Sequence, residues 1–346
     1  MNASLPAVLG FPFAAPPAAA SISAVATGIF WLRMPLPFAL DHINLWLLED
    51  ADGWTQVDCG YGDAATRALW ETHFEVSLGK RALTRIIATH YHPDHLGNAA
   101  WLVARFGCPL HMPQSEFLTA HMMGGGHPAY DTTAICELFR LHGLAPEHVE
   151  ALRRRGNHYR SGVPELPATF RRLVDGDELD IGGRRWRCFA GYGHSPEHMA
   201  LHCRDIGLCI SGDMLLPRIS TNVSVSPAEP EGDPLGRFLD SLAAFAALPA
   251  DTLILPSHGL PFVGAAVRVA QLHAHHAARL AELEAAAIEP RSAAELVPVL
   301  FRRELDVQQR FFAMGEAIAH LNHLWHAGRL ARIIDDDASI RFRRAS

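Results

Sequence analysis

Arg85-Ile86-Ile87-Ala88-Thr89-His90-Tyr91-His92-Pro93-Asp94-His95-Leu96-Gly97 brings three histidines and an aspartate together within six residues. Ile86-Ile87-Ala88 is apolar and β-branched, the pattern of a buried strand. Leu96 to Phe106 carries helical periodicity, so the four polar side chains sit on a loop from strand to helix. Such a loop is anchored at both ends, which suits a site that must hold its geometry. Neutral imidazole and carboxylate are ligands for zinc and other divalent first-row metals. His90 and His92, two residues apart in extended chain, project to the same side. Pro93 restricts the backbone before Asp94 and His95 enter the helix and point elsewhere. One cation cannot easily take all four groups, but two adjacent cations can. The bland reading of such a stretch, a solvated polar loop, does not account for H-x-H-x-D-H at a strand end.

Bulk properties bound the rest. The chain has 346 residues, 49% of them hydrophobic, enough for one large core and a small further domain. A net charge of −7 and a pI near 6.3 argue against a protein built chiefly to bind nucleic acid. Cys59, Cys108, Cys136, Cys188, Cys203 and Cys209 are scattered without C-x-x-C, the usage of buried thiols in a reducing, cytoplasmic setting. Residues 1–20 are rich in Ala and Pro and lack a basic start, which predicts a flexible N-terminal arm with a signal peptide as the weaker alternative. No stretch is long and apolar enough to span a membrane. There is no phosphate-cradling glycine loop, no G-x-S-x-G elbow and no solenoid-length repeat.

Thr89-His90-Tyr91-His92-Pro93-Asp94-His95-Leu96-Gly97 resembles the H-x-H-x-D-H signature of the metallo-β-lactamase superfamily. Its members include glyoxalase II-type thioesterases, lactonases, arylsulfatases, phosphodiesterases and RNA nucleases. The resemblance extends downstream at predicted strand ends, in family order. Gly193-His194-Ser195-Pro196-Glu197-His198 is similar to the G-H-[ST]-P-x-H segment, which assigns His194 to the metal and His198 to a supporting role. Ser211-Gly212-Asp213 matches the segment of the bridging aspartate, and Ser257-His258-Gly259 that of the last ligand. Asp58, at the end of the Trp54–Asp58 strand, takes the place of the carboxylate that orients a ligand histidine. By residue alone it is as readily a plain turn aspartate.

The resemblance implies an α/β chain, an αββα sandwich with a helical insertion and a small C-terminal winged-helix domain. We place the catalytic domain at 21–288, the insertion at about 113–162 and the winged-helix-like domain at 289–346. The insertion is expected to cap the metal site. Its histidines (His121, His127, His142, His148, His158) read more readily as surface groups than as ligands, and so do His273 and His276 on a later helix. Pro290 and Pro298 are expected to interrupt helix before a long one over Asp306–Ala327, followed by a hairpin. Phe312 to Leu330 resembles the E-x-x-x-H-L-x-x-L-x-x-x-G pattern of a subgroup that includes an endoribonuclease and many bacterial hydrolases.

Carried over residue by residue, His90, His92 and His194 hold one cation. Asp94, His95 and His258 hold the other, and Asp213 bridges them. Two such ions lie about 3.5–4 Å apart and share a hydroxide formed near neutral pH. Asp94 and Asp213 are then the catalytic carboxylates, Asp94 as a proton acceptor. The cofactors are two divalent ions, zinc by default, with manganese or iron compatible with the same donors. Penicillin hydrolysis is not expected, because Asp213 and His95 stand where those enzymes carry Cys and lack the second His. The glutathione-contact region of glyoxalase II-type enzymes and the appended domain of diiron flavoproteins are not found either. The favoured function is hydrolysis of a small ester, thioester or lactone. A single-stranded RNA endonuclease and a non-catalytic metal-bound sensor are the alternatives. A small-molecule partner is favoured over nucleic acid, with homodimerisation open.

Overall fold

The structure is a computed structural model that describes residues 8–79 and 81–345. The chain opens with β1 (Ser23–Ala26), β2 (Ile29–Pro35), β3 (His42–Asp50) and β4 (Gly53–Val57), then α1 (Ala64–Val76) and β5 (Leu83–Ile87). Next come α2 (Pro93–Leu96), α3 (Ala99–Phe106) and β6 (Leu110–Pro113). The insertion supplies α4 (Gln114–Gly125), α5 (Thr132–Leu141), α6 (Pro146–Arg155) and α7 (Tyr159–Gly162). The chain continues through β7 (Arg171–Leu173), β8 (Glu178–Ile181), β9 (Arg184–Gly191), β10 (His198–Cys203) and β11 (Leu208–Gly212). After α8 (Pro234–Ala246) come β12 (Leu253–Pro256), β13 (Phe262–Val263) and α9 (Ala265–Ala286). The tail is α10 (Ala293–Leu300), α11 (Val307–His326), β14 (Leu330–Ile334) and β15 (Ile340–Arg344).

β1 to β7 form a seven-stranded sheet in sequence order, antiparallel up to β4 and parallel from β4 to β7. A second, six-stranded sheet runs β13-β12-β11-β10-β9-β8. Alternation along β3 shows how the two are glued. Ile43, Leu45 and Leu47 face the helices α1, α3 and α4, while Trp46 and Leu48 face the other sheet. There they meet Trp186, Met199, Leu201 and Ile210 in a core that both sheets share. The outer face of the second sheet, through Cys209, Ile254 and Phe262, packs on α8, α9 and the tail. The layers are therefore helix, sheet, sheet, helix, as the motif order implied.

Several expectations change on contact with the fold. β1 and β6 lack a strong enough pattern to be read in advance. The helix expected over Leu96–Phe106 is broken between α2 and α3. A Cβ on Gly97 would collide with both Gly62 N and Gly162 O, and the Asn98 amide turns away to donate to Tyr61 O at 2.7 Å. The helix expected from Phe262 begins at Ala265, because Phe262 and Val263 pair with β12. Pro298 does not stop a helix but lies inside α10, whose start is fixed by a capping box of Ser292 and Glu295. The arm expected over 1–20 is loose neither at Gly10, which bridges to Val263, nor at Phe13, which sets its ring edge-on to Trp31. Residues 1–7 lie outside the described residues.

The tail also departs from expectation. It has the expected order of two helices and a hairpin, but it does not stand apart. Met314, Ile318, Leu321 and Leu324 of α11 share one core with Leu242 and Phe245 of α8 and Leu272 and Leu280 of α9. Leu152 of α6 joins the same core, so insertion and tail are packed together.

Candidate metal centre

Four strand or loop ends deliver the seven side chains to one place. β5 runs into Thr89 and His90, and Pro93 at the first turn of α2 sets Asp94 and His95 on the far side of the loop. β9 leads to His194, β11 to Asp213 and β12 to His258. The donor atoms fall into two groups, His90, His92, His194 and Asp213, and Asp94, His95 and His258, each within 4.8 Å.

In the first group His90 Nε2 and His92 Nδ1 are 2.8 Å apart, and His194 Nε2 lies 3.1 Å from His92 Nδ1 and 3.2 Å from His90 Nε2. In the second, Asp94 Oδ2 is 3.4 Å from His258 Nε2 and 3.7 Å from His95 Nε2. Asp213 faces both. Its Oδ2 is 3.4 Å from His194 Nε2, while its Oδ1 is 3.4 Å from His258 Nε2 and 3.6 Å from His95 Nε2. A tetrahedral cation with bonds of 2.0–2.1 Å spaces its ligand atoms about 3.3 Å apart. His95 Nε2 and Asp213 Oδ1 are buried and find no hydrogen-bond partner among the described residues, although buried polar atoms normally have one. The donor chemistry, the spacing and these two inward-facing atoms all fit divalent cations.

The rings are aimed from behind. Asp58 is buried, and its Oδ2 accepts the Nδ1 proton of His95 at 2.8 Å, while its Oδ1 accepts Thr89 N–H at 2.8 Å. It adopts φ +59°, a left-handed conformation that costs energy for a residue with a Cβ and is kept where the surroundings over-determine it. His194 Nδ1 donates to Asn222 O at 2.7 Å and His258 Nδ1 to His42 O at 2.8 Å. Each bond holds a proton on Nδ1, so that a ring neutral at Nε2 turns that nitrogen's lone pair inward. His198, fully buried, accepts the Asp213 N–H at its Nε2 over 3.1 Å. Gly212 permits this approach, since a Cβ there would collide with that nitrogen.

Two environments follow. Burial, reinforced by the neighbouring His194, pushes His92 down to about 3, so it is neutral at any ordinary pH. Burial also opposes a charge on His258, but Asp213 and Asp94 outweigh it and raise the group to about 10. In metal-free protein below pH 10, His258 therefore carries a proton that a cation must displace. Metal uptake at pH 7 is expected to release at least one proton. One stepwise binding constant should weaken by about tenfold per displaced proton for each pH unit lowered, and the other more shallowly. Calorimetry in two buffers of different ionisation enthalpy, at pH 6 and 8, checks this. Equal slopes for both steps would contradict it.

The fold brings the seven expected ligand side chains together, with Asp58 and His198 against them. Sequence reasoning missed Asn222 and His42, which act through backbone carbonyls and carry no side-chain signal. It also missed Glu316, whose Oε2 accepts the Asn222 amide at 3.3 Å. The second histidine cluster does not form as one face: His276 is buried with its Nδ1 3.1 Å from His320 Nε2, while His273 is exposed. All six cysteines are buried free thiols.

Comparison with known proteins agrees with this geometry. Residues 39–258 match the family described as "Metallo-beta-lactamase superfamily", and residues 280–345 match "Metallo-beta-lactamase-like, C-terminal domain". A beta-lactamase domain protein from Burkholderia ambifaria is 49% identical in a solved structure, covering 97% of this chain and 98% of its own, with a TM-score of 0.91. A metallo-beta-lactamase family protein from Thermus thermophilus is 32% identical over 93% of this chain and 100% of its own, with a TM-score of 0.78. "Probable metallo-hydrolase YqjP" of Bacillus subtilis is 24% identical over 85% of this chain and 91% of its own. A hydroxyacylglutathione hydrolase of Idiomarina loihiensis is 21% identical over 64% of this chain and 62% of its own.

Proposed function

The chain belongs to the metallo-beta-lactamase superfamily, and on that premise we propose that it hydrolyses a small ester, thioester or lactone with two divalent cations, zinc by default. The observation that carries this reading is Asp213, with one oxygen turned to each donor group. When bound, the cations would supply an activated water and polarise the acyl carbonyl whose carbon that water attacks. The chain's own groups do the rest. Asp213 sets the spacing of the two groups. Asp58, Asn222 and His42 aim the imidazoles. Burial opposes ionisation of Asp94, but His95 and His258 outweigh it and hold its carboxyl below the usual carboxylate range. Asp94 is thus ionised, and the proton-acceptor role proposed for it rests on its place in the second donor group. No protein nucleophile is needed.

Two aromatic side chains lie on the Asp94 side of the centre. Phe38, 47% exposed, sets its ring edge-on to Tyr61 at 5.4 Å, and Tyr61 lies close enough to Asp94 to feel its charge. The basic tail hairpin offers little to RNA. Arg329 contacts Glu284, Arg332 contacts Glu231 at 2.8 Å and Arg341 contacts Asp335 at 3.0 Å. Buried free thiols suit a reducing, cytoplasmic setting.

The test is a panel of acyl thioesters, aryl esters and lactones beside single-stranded RNA, with zinc-, manganese- and iron-loaded protein. Ester or thioester turnover abolished by chelation and restored by metal is the expected result. RNA cleavage without ester turnover would replace the reading.

A further inference from the structure

Glu116 is a carboxylate with no exposure to solvent, set in the first turn of α4 on the insertion. A bare carboxylate in a protein interior is costly unless donors surround it. Here three do, from two separate ligand loops. Its Oε2 accepts the N–H of Tyr91, the residue between His90 and His92, at 2.9 Å. Its Oε1 accepts Ser195 Oγ–H at 2.7 Å, from the residue after His194, and Glu197 N–H at 2.6 Å. Neighbours brace the same junction: Ser115 Oγ donates to Glu197 Oε2 at 2.5 Å, and Tyr159 Oη donates to Tyr91 O at 2.8 Å.

We propose that Glu116 is a positioning residue that clamps the His90–His92 loop to the His194 loop and so sets the geometry of the first donor group. The three imidazoles of that group come from segments about a hundred residues apart. Nothing else joins Tyr91 and Ser195 through one side chain among the described residues. Asp94, His95 and His258 of the second group form no hydrogen bond with Glu116. The clamp therefore bears most directly on the first group, since two of its histidines flank Tyr91 and the third precedes Ser195. It also gives the insertion a role distinct from covering the site, since α4 braces it from within.

The inference rests on the metal reading above, and the experiment separates the two. Stepwise zinc affinities are measured by competition with a chromogenic chelator for the wild-type chain, E116Q, and S195A, with the melting temperature of each metal-free protein recorded. Glutamine keeps the size but only one acceptor oxygen, so whichever way its amide turns, one loop loses its acceptor. In E116Q one zinc should bind about 10–100-fold more weakly, with the other weakened by a smaller factor or not at all. S195A, which removes one arm of the clamp, should weaken the same zinc by a smaller factor and decides the matter if E116Q does not fold. Wild-type protein that takes up no zinc would overturn the metal reading itself. Two zinc ions bound by the wild type, with both affinities preserved in the variants whatever their melting temperatures, would overturn only the role given to Glu116.

Discussion

Replacing Asp213 with alanine is expected to lower kcat/KM by about a thousandfold or more on the best ester or thioester. Among the described residues Asp213 is the one side chain that faces both donor groups, at 3.4 Å from His194 and 3.4 Å from His258. Its loss would remove the one carboxylate placed to hold a cation of either group and the contact that links the two groups. Stabilisation of charge in the transition state by such a centre is worth several kcal/mol, and each ~1.4 kcal/mol is a factor of ten in rate. Steady-state kinetics together with metal content by elemental analysis checks it. A variant holding two ions and working within tenfold of wild type would mean that Asp213 does not bridge.

Removing residues 289–346 is expected to cost the fold, not merely an accessory. Leu296, Ile318, Leu321, Leu324 and Phe342 are completely buried in the core shared with α8 and α9. At about 1.5–3 kcal/mol for each large apolar side chain, their burial is on the order of 10 kcal/mol, comparable to the whole stability of a typical domain. The cut also strips the centre of support. Gly315 packs against Ser224, Glu316 accepts the Asn222 amide, and Asn222 in turn holds His194. A 1–288 chain should accumulate insoluble or lack a cooperative melting transition, as measured by soluble yield and thermal unfolding. A soluble 1–288 chain with unchanged turnover would make the tail a separable unit.

The chain's legible strand ends, together with the resemblance of four segments to metallo-β-lactamase motifs, were enough to nominate the candidate ligand segments and their order. His90, His92, Asp94, His95, His194, Asp213 and His258 follow from that, as do the two-layered sheet and most helices. What tertiary structure decided has a common physical cause: it depends on contacts between distant segments, and local pattern does not encode them. Gly97 has no room for a side chain because Gly62 and Gly162 come against it. Phe262 joins a sheet because β12 passes beside it. The tail fuses with the insertion because α11 is apolar on the face that α6, α8 and α9 need covered. Glu116 looks in sequence like any acid in a first helical turn, and only the fold surrounds it with donors from two loops. Periodicity and side-chain chemistry are properties of neighbours along the chain, whereas burial, and with it the role of a carboxylate, is a property of neighbours in space.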